Sequence, residues 1–232
     1  MAIDLGLKKS FKKLSNIIFI RKLYINRLCS LFMKIFSEKK AENFLEKEGF
    51  KIIERTSLNK ISQIDNSLKK IKFPFVMKVS GEKIIHKNKK GGVRLNIKDK
   101  TEFIKNFKEL KKIKGYQEII IQKQINGKEF LLGIKKTPEF KHVLVFGYGG
   151  IHVEKLKKVT FRVYPLNSKE IKEMIKEIVP KLSKNEIEMI EKNLMKLCTL
   201  IKKYPKITEL DINPLMVSEN DAIIVDARIV FE

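Results

Sequence analysis

Close to the C-terminal end, ELDINPL at Glu209–Leu215 is followed by AIIVDARIV at Ala222–Val230. Asp211, Asn213 and Asp226 are oxygen donors at the ends of two neighbouring predicted strands. Oxygen-only ligation of this kind suits Mg²⁺, which takes few protein ligands and fills its other positions with phosphates and water. An acid-x-Asn-Pro turn and an acid on the next strand would clamp one metal beside a nucleotide. Read by itself, the segment is equally two strands joined by a polar turn, with solvated carboxylates at the ends.

A second constellation lies far upstream, in FPFVMKVSGEKIIHKNKKGGV at Phe73–Val93. Phe75–Val79 alternates as a strand does, and Lys78 near its end could reach a nucleotide phosphate. The loop after it carries His86 and Lys87, then Gly91 and Gly92, which permit a tight turn and close backbone approach to a ligand. A histidine on such a loop titrates near neutrality and can act as a nucleophile toward a phosphoryl group. Alone, a loop histidine is an ordinary surface residue.

Taken together these segments resemble the β subunit of ADP-forming acyl-CoA synthetases (acetate–CoA ligase, ADP-forming), an ATP-grasp protein related to the succinyl-CoA synthetase β subunit. The resemblance runs from about Ser37 to the C-terminus. It is carried by SEKKAENFLEKEGF, IIHKNKKGGV, the hinge-like IIQKQI at Ile120–Ile125, GKEFLLGIKKTPEF at Gly127–Phe140, VLVFGYGGIHVE at Val143–Glu154 and TFRVYPL at Thr160–Leu166, and most closely by ELDINPLMV…AIIVDARIV. Two positions depart from the family pattern: Lys89 and Gln124 stand where acids are usual. Both changes add positive character near the expected nucleotide.

The resemblance implies an ATP-grasp fold of two lobes with ADP or ATP and Mg²⁺ between them. It implies reversible conversion of acyl-CoA, ADP and phosphate into carboxylate, CoA and ATP, with His86 carrying the phosphoryl group and Asp211 orienting or balancing the phosphorylated imidazole. Asn213 and Asp226 would hold Mg²⁺. Lys78 and Lys87 would face the polyphosphate, and Arg162 either joins them or is only a solvent-exposed strand arginine; Ile121–Gln124 with Gln122 and Gln124 would face the adenine, and Glu129 the ribose. GYGG at Gly147–Gly150 is either a phosphate-wrapping turn or only a tight turn. An α-type CoA-binding subunit is the expected partner, because no CoA-binding domain is legible here. Two rival readings remain: an ATP-grasp ligase working through a direct acyl phosphate, which makes His86 incidental, and a degenerate domain that only binds a nucleotide or polyanion.

The elements that must position these residues read as α+β, or α/β in a loose classification. Residues 1–36 form a basic, apolar extension with no acid after Asp4. It is too interrupted by Arg21, Lys22 and Arg27 for a membrane span, and reads either as a surface-lying amphipathic helix or as a loosely ordered extension. Residues 37–117 make the first lobe. A helix starts at Ser37, has Glu38 and Glu42 in its first turns and ends at Gly49. A short strand at Lys51–Glu54, a helix around Ile61–Lys70, the strands flanking the His86 loop and an amphipathic helix at Asp99–Ile113 follow. Residues 118–232 make the second lobe. Its strands are Ile119–Gln124, Glu129–Lys136, Val143–Phe146, Thr160–Tyr164, Thr208–Ile212 and Ala222–Val225. Its helices are Lys169–Ile178, capped by Ser168, and Asn185–Lys203.

Composition is compatible with a cytoplasmic globular protein: 232 residues, 43% hydrophobic, with 2 Cys that make no disulfide framework. The formal net charge of +23 comes from lysines scattered over most expected helix faces. It predicts nonspecific polyanion attraction at low salt. A specific nucleic-acid reader needs aromatics interleaved with basic residues, whereas most of the 15 Phe and 5 Tyr fall at core-like spacing.

Overall fold

The computed structural model describes residues 33–81, 84, 91–150 and 158–232. The extension through residue 32, His86, Lys87, Lys89 and His152 lie outside the described residues. Each of the two sheets carries its own core. β1 (Lys34–Ile35) leads into α1 (Glu38–Lys47), then come β2 (Arg55–Leu58), a 3-10 turn at Ile61–Gln63, α2 (Ile64–Leu68), β3 (Phe75–Ser80), β4 (Val93–Ile97), α3 (Lys100–Leu110) and β5 (Glu118–Lys123). After these come β6 (Lys128–Thr137), β7 (Lys141–Tyr148), β8 (Val159–Val163), α4 (Ser168–Ile178), α5 (Lys184–Lys203), β9 (Ile207–Val217), β10 (Ala222–Ile224) and β11 (Ala227–Phe231).

The smaller sheet has four antiparallel strands in the order β2-β5-β3-β4. Alternate residues Leu58, Phe75, Met77, Val79, Ile119 and Ile121 face inward and meet Phe103, Phe107 and Leu110 of α3. The other face of β2, β3 and β5 presents Arg55, Lys78 and Gln122, because side chains alternate along a strand. α3 starts where the sequence puts it: Asp99 accepts a hydrogen bond from the Glu102 N–H at 2.8 Å, and Glu102 accepts one from the Lys98 N–H.

The larger, seven-stranded sheet runs β1-β11-β9-β6-β7-β8, with β10 paired to β9. One face is covered by α4, α5 and α1, whose buried residues pack on Phe130, Leu132, Leu144, Phe146, Leu210 and Ile212. Each such apolar side chain stabilises the fold by about 1.5–3 kcal/mol when fully buried. α5 is closed by a reciprocal pair in which Ser183 accepts from the Glu186 N–H and Glu186 from the Ser183 N–H. α4 is capped in the same way by Asn167 with Glu170. Ser168, the expected cap, is already the first helical residue.

Three boundaries differ from the sequence reading. β5, expected to open the second lobe, lies between β2 and β3 of the smaller sheet, because Ile119 and Ile121 complete its apolar face. The chain before β2 belongs to the larger body: β1 pairs with β11, and Ala41, Leu45 and Phe50 join the larger core. The chain also does not turn at Asn213-Pro214. β9 runs straight through, with Pro214 at a register shift opposite Phe130–Leu132, where no ladder N–H is required. Three strands, β1, β2 and β11, were not foreseen, and the expected strand at Lys51–Glu54 is a single bridge from Ile52 to Ile224. No helix among the described residues is long and apolar enough to cross a membrane.

Candidate functional site at the lobe junction

Lys78 leaves β3 on the face turned away from the smaller core. It is only 5% exposed. Its Nζ donates to the Val225 carbonyl at 2.9 Å, and lies 3.4 Å from Glu38 and 4.0 Å from Asp226. Gln122, one strand over, donates its Nε2 to the same Val225 carbonyl at 3.0 Å. Two donors from the smaller lobe thus converge on one acceptor at the end of β10.

Asp226 and Asn213 stand opposite each other, since the Asn213 N–H donates to the Asp226 carbonyl at 3.0 Å. Asn213 Oδ1 accepts from the Gly150 N–H at 2.8 Å, and the Gly149 N–H donates to the Glu129 carbonyl at 2.8 Å. The Glu129 carboxylate occupies the space that a Cβ on Gly150 would need, 1.5 Å from that position, and Gly150 has φ +67°. The two glycine N–H groups are therefore used internally, which favours the tight-turn reading of GYGG. Asp211 lies two residues before Asn213, on the same exposed face of β9, in register with Gly133 on one side and Arg228 on the other.

The donor set fits Mg²⁺. It is one carboxylate and one amide oxygen on adjoining backbone, and the described residues contain no cluster of three or more His, Cys, Asp or Glu that would build a cage. A metal that keeps few protein ligands and shares the rest with phosphate suits such a pair.

The structure brings Lys78, Gln122, Asp226, Asn213 and Glu129 to the inter-lobe side, and Asp211 to the same strand face. It does not bring Arg162 there. Arg162 on β8 pairs with Leu144, an inward residue of β7, so its side chain falls on the helix-covered face. There it donates to Glu177 of α4 at 2.7 Å and to Thr160 at 2.8 Å, and it holds the Glu177 carboxyl below its usual value. Gln124 is committed too, accepting from the Asn96 N–H at 2.8 Å. His86 and Lys87 lie outside the described residues, but the anchors of their loop are defined. Ile84 is buried in the smaller core, the Val79 N–H donates to the Gly92 carbonyl at 2.9 Å, and Val93 pairs with Lys78.

Sequence reasoning overlooked an acidic pair behind Lys78. Glu38 and Glu42 sit one turn apart on α1, 8% and 0% exposed. Arg55 Nε approaches Glu42 to 2.6 Å, while its NH2 reaches Asn43 at 2.7 Å. Neither Glu42 oxygen accepts a hydrogen bond of good geometry among the described residues. Burial, aided by the Glu38 carboxylate, outweighs Arg55 and Lys78 and pushes the Glu42 carboxyl up to about 8. The missed signal was present: residues 38, 41, 42 and 45 share one helix face, so acids stood on the stripe of Ala41 and Leu45.

A family described as ATP-grasp domain matches residues 33–231. Acetate–CoA ligase (ADP-forming) II of Archaeoglobus fulgidus is 35% identical over 83% of this chain, which spans only 30% of that protein's length. The β subunit of acetate–CoA ligase (ADP-forming) II of Pyrococcus furiosus is 33% identical over 84% of this chain and 91% of its own. In structure, the chain resembles acetyl-coenzyme A synthetase 1 of Ca. Korarchaeum cryptofilum in complex with coenzyme A and Ca-AMPCP, with a TM-score of 0.78 at 26% identity, covering 91% of this chain and 99% of that one. A further structure of that protein holds coenzyme A and Mg-AMPPCP, with a phosphohistidine segment pointing towards the nucleotide binding site; its TM-score is 0.71 at 27% identity, over 86% and 93% of the two chains. A match over nearly all the described residues, joined to two lobes meeting at a lysine and a carboxylate–amide pair, places this chain in the ATP-grasp domain family.

Proposed function

We propose that this chain is the nucleotide-binding β component of an ADP-forming acyl-CoA synthetase. It would hold ADP or ATP between the lobes and exchange a phosphoryl group with it through His86. The observation that carries this reading is the meeting of Lys78 with Asp226 across the lobe junction, next to Asn213 and at the root of the His86 loop. The chain spans about a third of the length of the relatives it matches first; a separate α-type CoA-binding subunit is assigned as partner because a relative matched over 91% of its own length is itself a β subunit. The expected setting is cytoplasmic, as for other chemistry that draws on ADP and CoA pools.

Each part has a defined task. Mg²⁺, when bound by Asn213 and Asp226, would neutralise polyphosphate charge. Lys78 supplies a cation where the phosphates approach the smaller sheet. Asp211, exposed on the same strand face as Asn213, is assigned to the phosphorylated imidazole. In the transfer itself, the N–P bond of phosphorylated His86 breaks as a β-phosphate oxygen of ADP bonds to phosphorus, and the imidazole leaves neutral. Such transfers depend mainly on positioning and charge neutralisation.

The test is reconstitution. The purified chain should bind Mg-ADP but make no ATP from acetyl-CoA, ADP and phosphate until an α-type CoA-binding chain is added. Incubation with ATP should label His86 with an acid-labile, base-stable phosphate. His86→Ala should abolish ATP formation with nucleotide binding nearly unchanged; normal turnover by this variant in the complex would end the phosphohistidine reading.

A further inference from the structure

Lys78 is the sole described cation within reach of both Glu38 and Asp226, and these acids come from different parts of the larger body. Glu38 opens α1, which packs on the larger core; Asp226 sits between β10 and β11. The Glu38–Lys78 pair is nearly solvent-free, with side chains 4% and 6% exposed, whereas the Asp226 side chain is 33% exposed. The arrangement is lopsided. Asp226 faces the space where phosphates and metal would arrive, while Glu38 stands behind the lysine, away from solvent. A polyphosphate can replace Asp226 as a partner of Lys78 without displacing Glu38.

From this geometry we propose that Glu38 is a positioning residue for Lys78. It holds the ammonium group at the Val225 carbonyl so that the lysine presents a fixed charge to the nucleotide, and it remains paired when Asp226 turns to the metal. This rests on the nucleotide-binding reading above. The lysine side chain is long and loses much rotamer freedom when held. A buried carboxylate behind it fixes one rotamer before the ligand arrives, so less ordering is required on binding. Gln122 supports the same geometry from the side, because it shares the Val225 carbonyl.

The experiment has two readouts on the full chain. The first needs no nucleotide: reductive methylation of lysines with formaldehyde and cyanoborohydride, followed by mass spectrometry of the peptide containing Lys78. Lys78 should be strongly protected in the wild type and should react about fivefold faster or more in Glu38→Gln. Glu46→Gln, one turn beyond Glu42 on the same helix, should leave Lys78 protected. The second readout is Mg-ADP binding by calorimetry in a double-mutant cycle. Glu38→Gln should weaken binding about fivefold in the wild-type background and not at all in a Lys78→Met background. Unchanged Lys78 labelling in Glu38→Gln, or equal weakening in both backgrounds, would overturn the proposal. If the wild type shows the labelling pattern yet binds no Mg-ADP, the nucleotide reading falls while the hold of Glu38 on Lys78 stands.

Discussion

Replacing Glu42 by glutamine isolates the electrostatic strain of the junction. The substitution keeps size and shape and removes the ionisable group. In the folded chain the Glu42 carboxyl titrates at about 8, against 4.5 for an unconstrained glutamate. Between those values the folded state keeps a proton that the unfolded chain has released. Stability is therefore fully present below pH 4.5 and is lost as pH rises through the window, at about 1.4 kcal/mol per unit. At pH 7 the loss is 2.5 units' worth, or about 3 kcal/mol, and it levels off above pH 8. Glutamine, neutral in both states, escapes that loss, and its amide oxygen still offers Arg55 an acceptor. Glu38, Lys78, Arg55 and Asp226 are the charged groups that act on Glu42. The assay is urea denaturation of both proteins from pH 5 to pH 8. With a slope of about 2–3 kcal/mol per M, the variant's midpoint should lie about 1 M above wild type at pH 7 and close to it at pH 5. A midpoint difference independent of pH, or a variant less stable than wild type at pH 8, would refute the reasoning.

Further outcomes are expected at the site and in the cores. Asp226→Asn should lower ATP formation in the reconstituted complex more than Asn213→Ala, since it removes a charge that offsets Mg²⁺; added Mg²⁺ should partly relieve both losses, and a wild-type Mg²⁺ dependence in Asp226→Asn would sink the metal assignment. Arg162→Ala should leave Mg-ADP affinity within about twofold and cost at most about 1 kcal/mol, the worth of a surface pair; a large loss of affinity on calorimetry would return Arg162 to the nucleotide. Phe103→Ala should destabilise the protein by about 3–5 kcal/mol, because its fully buried ring contacts Phe75 and Phe107; a change below about 1 kcal/mol in urea denaturation would contradict the packing.

Much of the architecture could be read from periodicity. The 3.6-residue stripe of Phe103, Phe107 and Leu110 and the alternation of β3 gave elements within a few residues of those observed. What escaped depends on long-range pairing. Nothing local tells β5 that its partners are β2 and β3 rather than β6; that follows from which apolar face is completed. Arg162 looked free to meet phosphate because a strand's register decides which side each residue takes, and one step flips it. β9 read as ending at Asn213-Pro214 because proline marks turns, yet here it sits at a ladder irregularity. Of the candidate site, Lys78, Asn213 and Asp226 were legible from chemistry and order. Glu38 and Glu42 read as acids in the first turns of a helix, although they fall on the same face as Ala41 and Leu45, the face that α1 buries.

The smaller lobe is an insertion whose two ends touch. The chain leaves the larger body at Glu54 and returns after Lys123, and the Lys123 N–H donates to the Glu54 carbonyl at 3.0 Å. Entry and exit are thus neighbouring strands of one ribbon. Modules attached in this way are the ones that genomes move, because excision or replacement leaves a gap that a turn of a few residues can close. The larger body would lose the lysine, the glutamine and the histidine loop in one step and keep its metal-side carboxylate and amide. Chimaeras exchanged at Glu54 and Lys123 are therefore the natural cut for asking which half of the molecule chooses the nucleotide.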